Sequence, residues 1–394
     1  MLSVRRNISL GRRRFYFMTD LDTLNWAGPS GLRDRLSTLI DPRQQRGIRF
    51  PLEEILLLAL AAVLAGRISY IAISDWIHDL SAEHRERFGC RRWGSSFKVP
   101  SEATIRRTLQ SLDGNAVDTV FNGWLTDESL QGDDAVAVDG KALRGSGHGR
   151  RKRPVHLLAA LCHRTGQVLG QVDVDQKTNE IPMIKDLLDP LDIAGDVVTV
   201  DALHTQTETA RYLVEDKQAH YIMEVKKNQP TLYEAIAAVE LEDYTRPIIT
   251  LDKGHGRIEQ RIVRTSTVLN SYLDWPYLGQ IFRIDRHVTN LVGENPHDEV
   301  AFGVTDLRPK RASAKRIGRI VRGHWGIETR LHYVRDMAYD EDRSQVRTES
   351  GPQVMATLRN TAIGLIRRMN LPNIQRTLQH LGRRPDQVCA LLLS

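Results

Sequence analysis

The chain has 394 residues, of which 41% are apolar and 26% are charged, and this composition suits a globular protein with two or three domains. Three widely spaced cysteines exclude a disulfide framework and a cysteine zinc site. The longest apolar run, residues 55–65, is too short to cross a bilayer, so we expect a reduced, cytoplasmic protein.

Most of the formal net charge of +6 lies in residues 1–17, which hold five arginines and no acidic residue. We interpret residues 1–30 as a basic, flexible arm, although Met18 also fits a start that makes residues 1–17 an upstream extension. Residues 141–153 carry six basic residues and no acid, and residues 308–335 carry nine basic residues against one glutamate. Such clusters suit a polyphosphate partner, but basic runs are often only solvated faces.

Residues 31–128 are predicted to form a helical N-terminal domain. The run 55–65 is apolar all round, which indicates a buried helix. A helix over 102–112 follows Ser101, a suitable cap. Its Arg106 and Arg107 allow two interpretations, a DNA-reading helix or an ordinary bundle helix.

After this domain the apolar period changes to that of strands, and residues 129–225 are predicted to begin an α/β core. The predicted order βββ-α-β-α-β indicates a mixed sheet flanked by helices. The predicted elements are strands at 135–138, 155–161 and 168–174, a helix over 180–188 capped by Asn179, a strand at 197–200, a helix over 206–216 and a strand at 221–225.

The remaining chain divides in two. Residues 226–312 are interpreted as a β-rich insertion with strand-like segments at 247–251, 258–266 and 281–289. Residues 313–394 are predicted to complete the core, with helices near 353–369 and 371–393.

Two isolated aspartates, Asp139 and Asp201, each close an apolar run that is typical of a buried strand. If these strands are neighbours, the two carboxylates lie close together, because ligands of open α/β sheets gather at strand ends. A third carboxylate, Glu328, lies in a predicted helix over 322–335. Helical spacing puts it on one face with other polar and apolar side chains, namely His324, Leu331, His332 and Arg335.

Three carboxylate ligands without sulfur suit Mg²⁺ or Mn²⁺, and two such ions suit phosphoryl transfer. Other interpretations remain at this level. A single aspartate after a strand is often a cap or turn residue, and a glutamate in a basic helix is often a surface ion pair. His324 with Glu328 could also be half of a zinc site, but no set of cysteine and histidine partners accompanies them.

Several motifs occur in an order that resembles the transposases of the As-1 insertion-sequence family, which include the H-repeat-associated proteins. Residues 41–112 also resemble the N-terminal domain associated with that family. The motifs are Ala137-Val-Asp-Gly-Lys-Ala-Leu-Arg-Gly-Ser146, Asp201-Ala-Leu-His-Thr-Gln206, Lys227-Asn-Gln-Pro-Thr231, Lys253-Gly-His-Gly-Arg-Ile-Glu259, His324-Trp-Gly-Ile-Glu328 and Glu341-Asp-Arg343.

The resemblance implies a member of the wider DDE group, with an RNase H-like core in which Asp139, Asp201 and Glu328 form the catalytic triad and bind two divalent cations. It also implies contacts to DNA from residues next to these ligands. The predicted DNA-binding residues are Lys141, Arg144, His204, Gln206, Arg322, His324 and Arg335.

The resemblance therefore predicts an insertion-sequence transposase that cuts the inverted-repeat ends of its element and joins them to target DNA. We expect double-stranded DNA as the partner, a homodimer on that DNA, and association with the nucleoid when bound. Two other functions stay open, a catalytically silent DNA-binding descendant and a structure-selective nuclease with the same core.

Overall fold

A computed structural model describes residues 21–22, 24–46, 48–126, 134–147, 153–174, 180–254 and 256–393 of the protein. Residues 1–20 of the predicted basic arm, the centre of the basic loop at 148–152 and the predicted cap Asn179 lie outside these residues.

Helices dominate the N-terminal part of the chain, as the apolar pattern predicts. They are α1 (Leu32–Leu36), α2 (Leu52–Leu64), α3 (Tyr70–His78), α4 (Ala82–Arg87), α5 (Glu102–Ser111) and α6 (Gly114–Thr126), with a short hairpin of β1 (Arg92–Trp93) and β2 (Ser96–Phe97) between α4 and α5. Serine side chains cap the starts of α3, α4 and α5. Ser69 accepts from the amide of Ala72, Ser81 from that of His84 and Ser101 from that of Thr104. All of α2 except Glu53 is buried, which confirms the prediction of a buried helix.

The last helices of the chain pack onto the first ones. They are α12 (Gly351–Arg368), α13 (Ile374–Leu381) and α14 (Pro385–Leu392). Their apolar residues share one core with α2, α3, α5 and α6. The C-terminal segment, expected to complete the α/β core, thus mainly completes the helical part. The reason is that α12 is buried almost all round and needs packing partners on both sides. The N-terminal helices cover one side, and β5 of the sheet covers the other.

The α/β part is built on one nine-stranded sheet with the order β5-β4-β3-β6-β7-β11-β10-β9-β8. Strands β3 and β6 run parallel, as do β6 and β7, whereas the other neighbours are antiparallel. The strands are β3 (Ala135–Leu143), β4 (Val155–Cys162), β5 (Val168–Val174), β6 (Val197–Val200), β7 (His220–Val225), β8 (Ile248–Gly254), β9 (Arg257–Ser266), β10 (Gln280–Asn290) and β11 (His297–Thr305).

Three helices of the α/β part lie between these strands, at α7 (Glu180–Leu188), α8 (Thr207–Arg211) and α9 (Pro230–Ala237). A π-helical turn over Tyr212–Asp216 extends α8, so the helix predicted over 206–216 is present with a change of pitch. The predicted order βββ-α-β-α-β is therefore the observed one from β3 to β7, and the fold is mixed α/β as expected.

The segment 226–312, interpreted from the sequence as a β-rich insertion, contains strands β8 to β11. Its strands extend the central sheet, because β11 pairs antiparallel with β7 from Phe302↔Val225 to Thr305↔Ile222. The sequence pattern did not predict β11, whose first half is exposed and polar. Strand pairing depends on partners that are distant in the chain, so local pattern alone could not place this segment.

The segment predicted as one helix over 322–335 consists of three parts. α10 (Ala314–His324) is followed by a π-helical turn over Glu328–His332 and then by α11 (Tyr333–Tyr339). This segment crosses one face of the sheet, where Ile327 and Leu331 pack on apolar residues of β3, β4 and β5. In the described part of the chain, no helix is both long and apolar enough to cross a membrane.

Candidate active site

Asp139 and Asp201 lie side by side on neighbouring parallel strands. The register pairs Val138 with Val200, and each aspartate is the next residue. β3 itself continues to Leu143 along β4, so Asp139 marks the end of the parallel pairing rather than the end of the strand. The two carboxylates therefore leave the sheet at the same level, as the sequence analysis predicted for adjacent strands.

Both aspartates face the segment that carries Glu328. Side chains alternate between the faces of a strand, so Asp139 shares a face with Ala137, and Asp201 shares one with Thr199. Ala137 packs against Ile327, and the Thr199 hydroxyl lies 2.9 Å from Nδ1 of His324.

His332 lies between Glu328 and Asp139 and contacts both carboxylates. The Nδ1 atom of His332 lies 3.0 Å from Oε2 of Glu328 and 3.6 Å from Oδ2 of Asp139. One candidate ligand atom from each of these three residues lies within 4.8 Å of the others. The Glu328 side chain is 57% exposed and Asp139 is 28% exposed, so the cluster opens to solvent, while His332 is buried beneath it.

Backbone amides of the residues that follow Asp201 hold its carboxylate in place. Its Oδ1 accepts hydrogen bonds from the amides of Leu203 at 3.0 Å and His204 at 3.3 Å, which begins a 3₁₀ turn over Ala202–His204. Asp201 does not belong to the tight group around His332, but its charge acts on Asp139. The structure thus places Asp139 beside Asp201 on the sheet and within reach of Glu328 through His332.

The electrostatics of the cluster favour a bound cation. Burial raises the pKa of Asp139, and the nearby carboxylates of Asp201 and Glu180 raise it further, whereas His332 opposes the shift. A hydrogen bond from His332 lowers the pKa of Glu328. Carboxylate oxygens are the ligands that hard divalent cations prefer, and a cation here offsets the repulsion between Asp139 and Asp201. The residues present therefore fit a divalent metal.

Glu180 is a fourth carboxylate near this edge, and the sequence analysis did not identify it. Its Oε1 lies 2.6 Å from Nε2 of His156, and its Oε2 lies 3.3 Å from Nε2 of His204. Burial alone raises the pKa of Glu180, but the hydrogen bonds from both histidines lower it to about 2. Gly140 lies against this group, since a Cβ there would approach the His156 ring to 2.5 Å. The only sequence signal was His204 in the motif after Asp201.

The predicted DNA-binding residues fall into different environments. Arg144 is exposed, with 80% of its side chain accessible, and Arg322 is about half exposed beside Asp252. Lys141 is largely buried, and its Nζ lies 2.6 Å from Oδ2 of Asp336. Gln206 is half-buried, and its Oε1 accepts from Nε2 of Gln229 at 3.1 Å.

Two predicted contact residues are engaged inside the protein. His204 is fully buried with Glu180 as its partner. His324 packs against Thr199, and burial lowers its pKa to about 4, so it is neutral at pH 7. Both side chains hold the elements around Asp201 in place.

The prediction that Arg335 contacts DNA is wrong in this structure. Arg335 is 1% exposed, and its Nε donates to Oε2 of Glu341 at 2.7 Å. Glu341 also accepts from Arg359 of α12 at 2.8 Å. The prediction assumed an uninterrupted α-helix, whereas the π-helical turn changes which way α11 faces relative to Glu328.

Two family matches cover most of the chain. Residues 130–365 match the family described as "Transposase DDE domain", and residues 33–125 match the family described as "DDE_Tnp_1-associated". The first match contains Asp139, Asp201 and Glu328 and extends over more than half of the sequence.

Curated relatives agree with these matches. A "Putative transposase YncI" of Escherichia coli O157:H7 is 30% identical over 354 residues, which cover 85% of this chain and 87% of the relative. The "H repeat-associated putative transposase YhhI" of Escherichia coli strain K12 is 26% identical over 346 residues, which cover 85% of this chain and 90% of the relative. Among solved structures, a piggyBac transposase synaptic complex with hairpin DNA is a weak match, with a TM-score of 0.43, 11% identity, and coverage of 89% of this chain and 76% of that one.

Proposed function

Because the chain belongs to the transposase family that carries the DDE domain, we propose that it is an insertion-sequence transposase that cuts DNA with Asp139, Asp201 and Glu328. The observation that supports the proposal is that Asp139 and Asp201 follow paired positions of adjacent parallel strands, while His332 contacts both Asp139 and Glu328. Neighbouring carboxylates repel one another, and a bound cation would offset this repulsion, which supports a metal site here.

The proposed cofactors are two divalent cations, Mg²⁺ or Mn²⁺, held by Asp139, Asp201 and Glu328. When bound, such ions activate an attacking water or 3′-hydroxyl and stabilise the leaving oxygen. The protein holds the side chains of these ligands in position. Backbone amides orient Asp201, and His332 orients Glu328, so neither side chain must be ordered during the reaction.

The proposed reaction has two steps on phosphorus. Water first attacks the scissile phosphate at the element end, and the 3′ oxygen leaves as a free hydroxyl. That hydroxyl then attacks a phosphate of target DNA, forming the new bond as the 3′ oxygen of the target strand leaves. No covalent bond between protein and DNA forms in either step.

The strand order supports an RNase H-like core. The five strands from β5 to β7 have the spatial order β5-β4-β3-β6-β7, with antiparallel pairs on one side and parallel pairs on the other. In this proposal, β8 to β11 enlarge that core on its β7 side.

Double-stranded DNA is the proposed partner, and a homodimer on DNA would allow both ends of an element to be cut together. Arg144 and Arg322 are the proposed backbone contacts, because both are exposed and follow or precede a carboxylate of the triad. Lys141 and Gln206 lie deeper and are proposed to contact DNA only at the metal site.

The test is strand cleavage of duplex DNA that carries the inverted repeats flanking the gene, with Mg²⁺. We expect Asp139→Asn and Glu328→Gln to lower the cleavage rate more than about 100-fold, because loss of a ligand exceeds the loss of its supporting residues. Gel-shift binding of the same DNA should be retained. Asp298→Asn, at an exposed strand position, is the matched control and should cut normally.

Normal cleavage by either triad variant would overturn the proposal. DNA binding by the wild-type protein without metal-dependent cutting would identify a silent descendant instead. Cutting of branched DNA without strand transfer would identify a structure-selective nuclease.

A further inference from the structure

A basic cleft lies beside the segment that carries Glu328, and no role has been assigned to it above. It has a volume of about 760 Å³ and is lined by three parts of the chain: the turn between β4 and β5, residues 329–334, and the end of α12 with the loop after it. Four arginines line it, namely Arg164, Arg330, Arg367 and Arg368, and none of its lining residues is acidic.

Two of these arginines are held in place by the backbone. Arg330 donates to the carbonyl of His163 at 2.6 Å, and Arg367 donates to the carbonyls of Gly166 and Arg330. Gly166 has a φ of +71°, and a Cβ there would lie 2.3 Å from Nη2 of Arg330. The glycine thus allows the turn to approach the guanidinium closely, and the two arginines are fixed before any ligand arrives.

The guanidinium groups of Arg330 and Arg367 donate to backbone carbonyls. Within the described ranges, neither Arg330 nor Arg367 forms an ion pair with a carboxylate. Burial, and to a smaller extent the charge of Arg330, lowers the pKa of Arg367 to about 9. Such an arrangement is stabilised when an anion enters the cleft.

The surroundings of the cleft suit the backbone of a nucleic acid. Hydroxyl and amide side chains of Thr165, Thr329 and Asn370 lie among the arginines, and such groups contact phosphate and sugar oxygens. Thr329 directly follows Glu328 in the chain and is exposed like it. DNA seated at Glu328 can therefore continue into the cleft.

We propose that this arginine cleft binds phosphodiester groups of the DNA that the triad cuts. The inference rests on the proposed function and deepens it, since it assigns part of the DNA path to a surface outside all the sequence motifs. Arg330 and Arg367 are positioned for the phosphates, and Arg368 stands at the rim, whereas Arg164 borders the cleft and pairs with Asp134 at 2.9 Å.

The experiment measures binding of a fluorescein-labelled 30-base-pair duplex to the full chain in EDTA, over a range of NaCl concentrations. Loss of one phosphate contact lowers the slope of log K against log[NaCl] by about 0.9. We expect that change in Arg330→Gln and in Arg368→Gln. Arg376→Gln, an exposed arginine of α13 outside the cleft, is the control and should keep the wild-type slope.

A second arm separates a DNA site from a small-anion site. Thermal unfolding with inorganic phosphate is compared with chloride at equal ionic strength, for wild type and Arg330→Gln. A slope change in both cleft variants, with Arg376→Gln unchanged, supports the proposal. Unchanged slopes overturn it, whether or not phosphate raises the melting temperature. Because EDTA prevents cutting, failure here is distinct from failure of the cleavage assay, which tests the proposed function.

Discussion

At the scale of single residues, the site depends on side chains that position the carboxylates. His332 is buried, contacts both Asp139 and Glu328, and was placed on the correct helix face by its spacing from Glu328. Its contact with Asp139 was not predictable, because the two residues are 193 positions apart (332 − 139) and meet only in the folded sheet.

His332→Ala is expected to slow cleavage about 10- to 100-fold, as loss of a residue that orients a ligand does. The hydrogen bond from His332 lowers the pKa of Glu328, so its removal raises that pKa. The Glu328 carboxylate is then ionised only above a higher pH, so the acid limb of the pH–rate profile should move to higher pH. Rates measured between pH 5 and 8 test this. An unchanged acid limb, with His287→Ala as surface control, would show that His332 does not act on Glu328.

The sequence could identify Asp139 and Asp201 because each follows an apolar run, and neighbouring parallel strands end at one edge. It could not identify Glu180, which gains its place only through His156 of β4 and His204 of the turn after β6. It also misplaced Arg335, because ideal helical spacing contains no π-helical turn.

At the scale of elements, α11 is anchored to α12 by a buried ion-pair cluster. Glu341 accepts from Arg335 and Arg359, and all three side chains are at most 2% exposed. Asn360 of α12 and Gln171 of β5 complete the cluster around Arg335. The cluster fixes the segment with Glu328 against both the sheet and the helical part.

Glu341→Gln leaves two buried guanidinium groups without a counter-charge and should lower the free energy of unfolding by about 3–5 kcal/mol. Burial raises the pKa of Glu341, but the two arginines lower it to about 2 overall. The folded pKa is thus below the unfolded value of about 4.3, so this stabilisation is present at pH 7 and is lost as pH falls from about 4.3 towards 2. Urea unfolding at pH 7 and pH 3 measures both effects. Equal stability of variant and wild type at pH 7 would contradict this account.

Element positions were predicted best where the local pattern is strong. The buried helix α2 and the strands β3 to β7 follow from their apolar periods, and Ser101 marks the start of α5. The extension of the sheet through β11 was missed, because an exposed strand has no apolar period and its paired residues in β7 are 77 to 83 positions away.

At the scale of the whole molecule, helices from the N-terminal and C-terminal parts of the chain pack together. Helices from both ends of the sequence form one core, and the segment with Glu328 lies between that core and the sheet. The proposed metal site lies at one part of this segment and the arginine cleft at another, so the same packing holds both surfaces. This arrangement explains why a site of three carboxylates needs ligands from residues as far apart as Asp139 and Glu328.

The most direct measurement is anomalous scattering from a crystal of the full chain soaked in Mn²⁺. The account predicts a strong Mn²⁺ peak bound by carboxylate oxygens of Asp139 and Asp201 or of Asp139 and Glu328, and no such peak in the Asp139→Asn variant. Mn²⁺ peaks only elsewhere on the protein, or an unchanged peak in the variant, would contradict the claim that these three residues form one metal site.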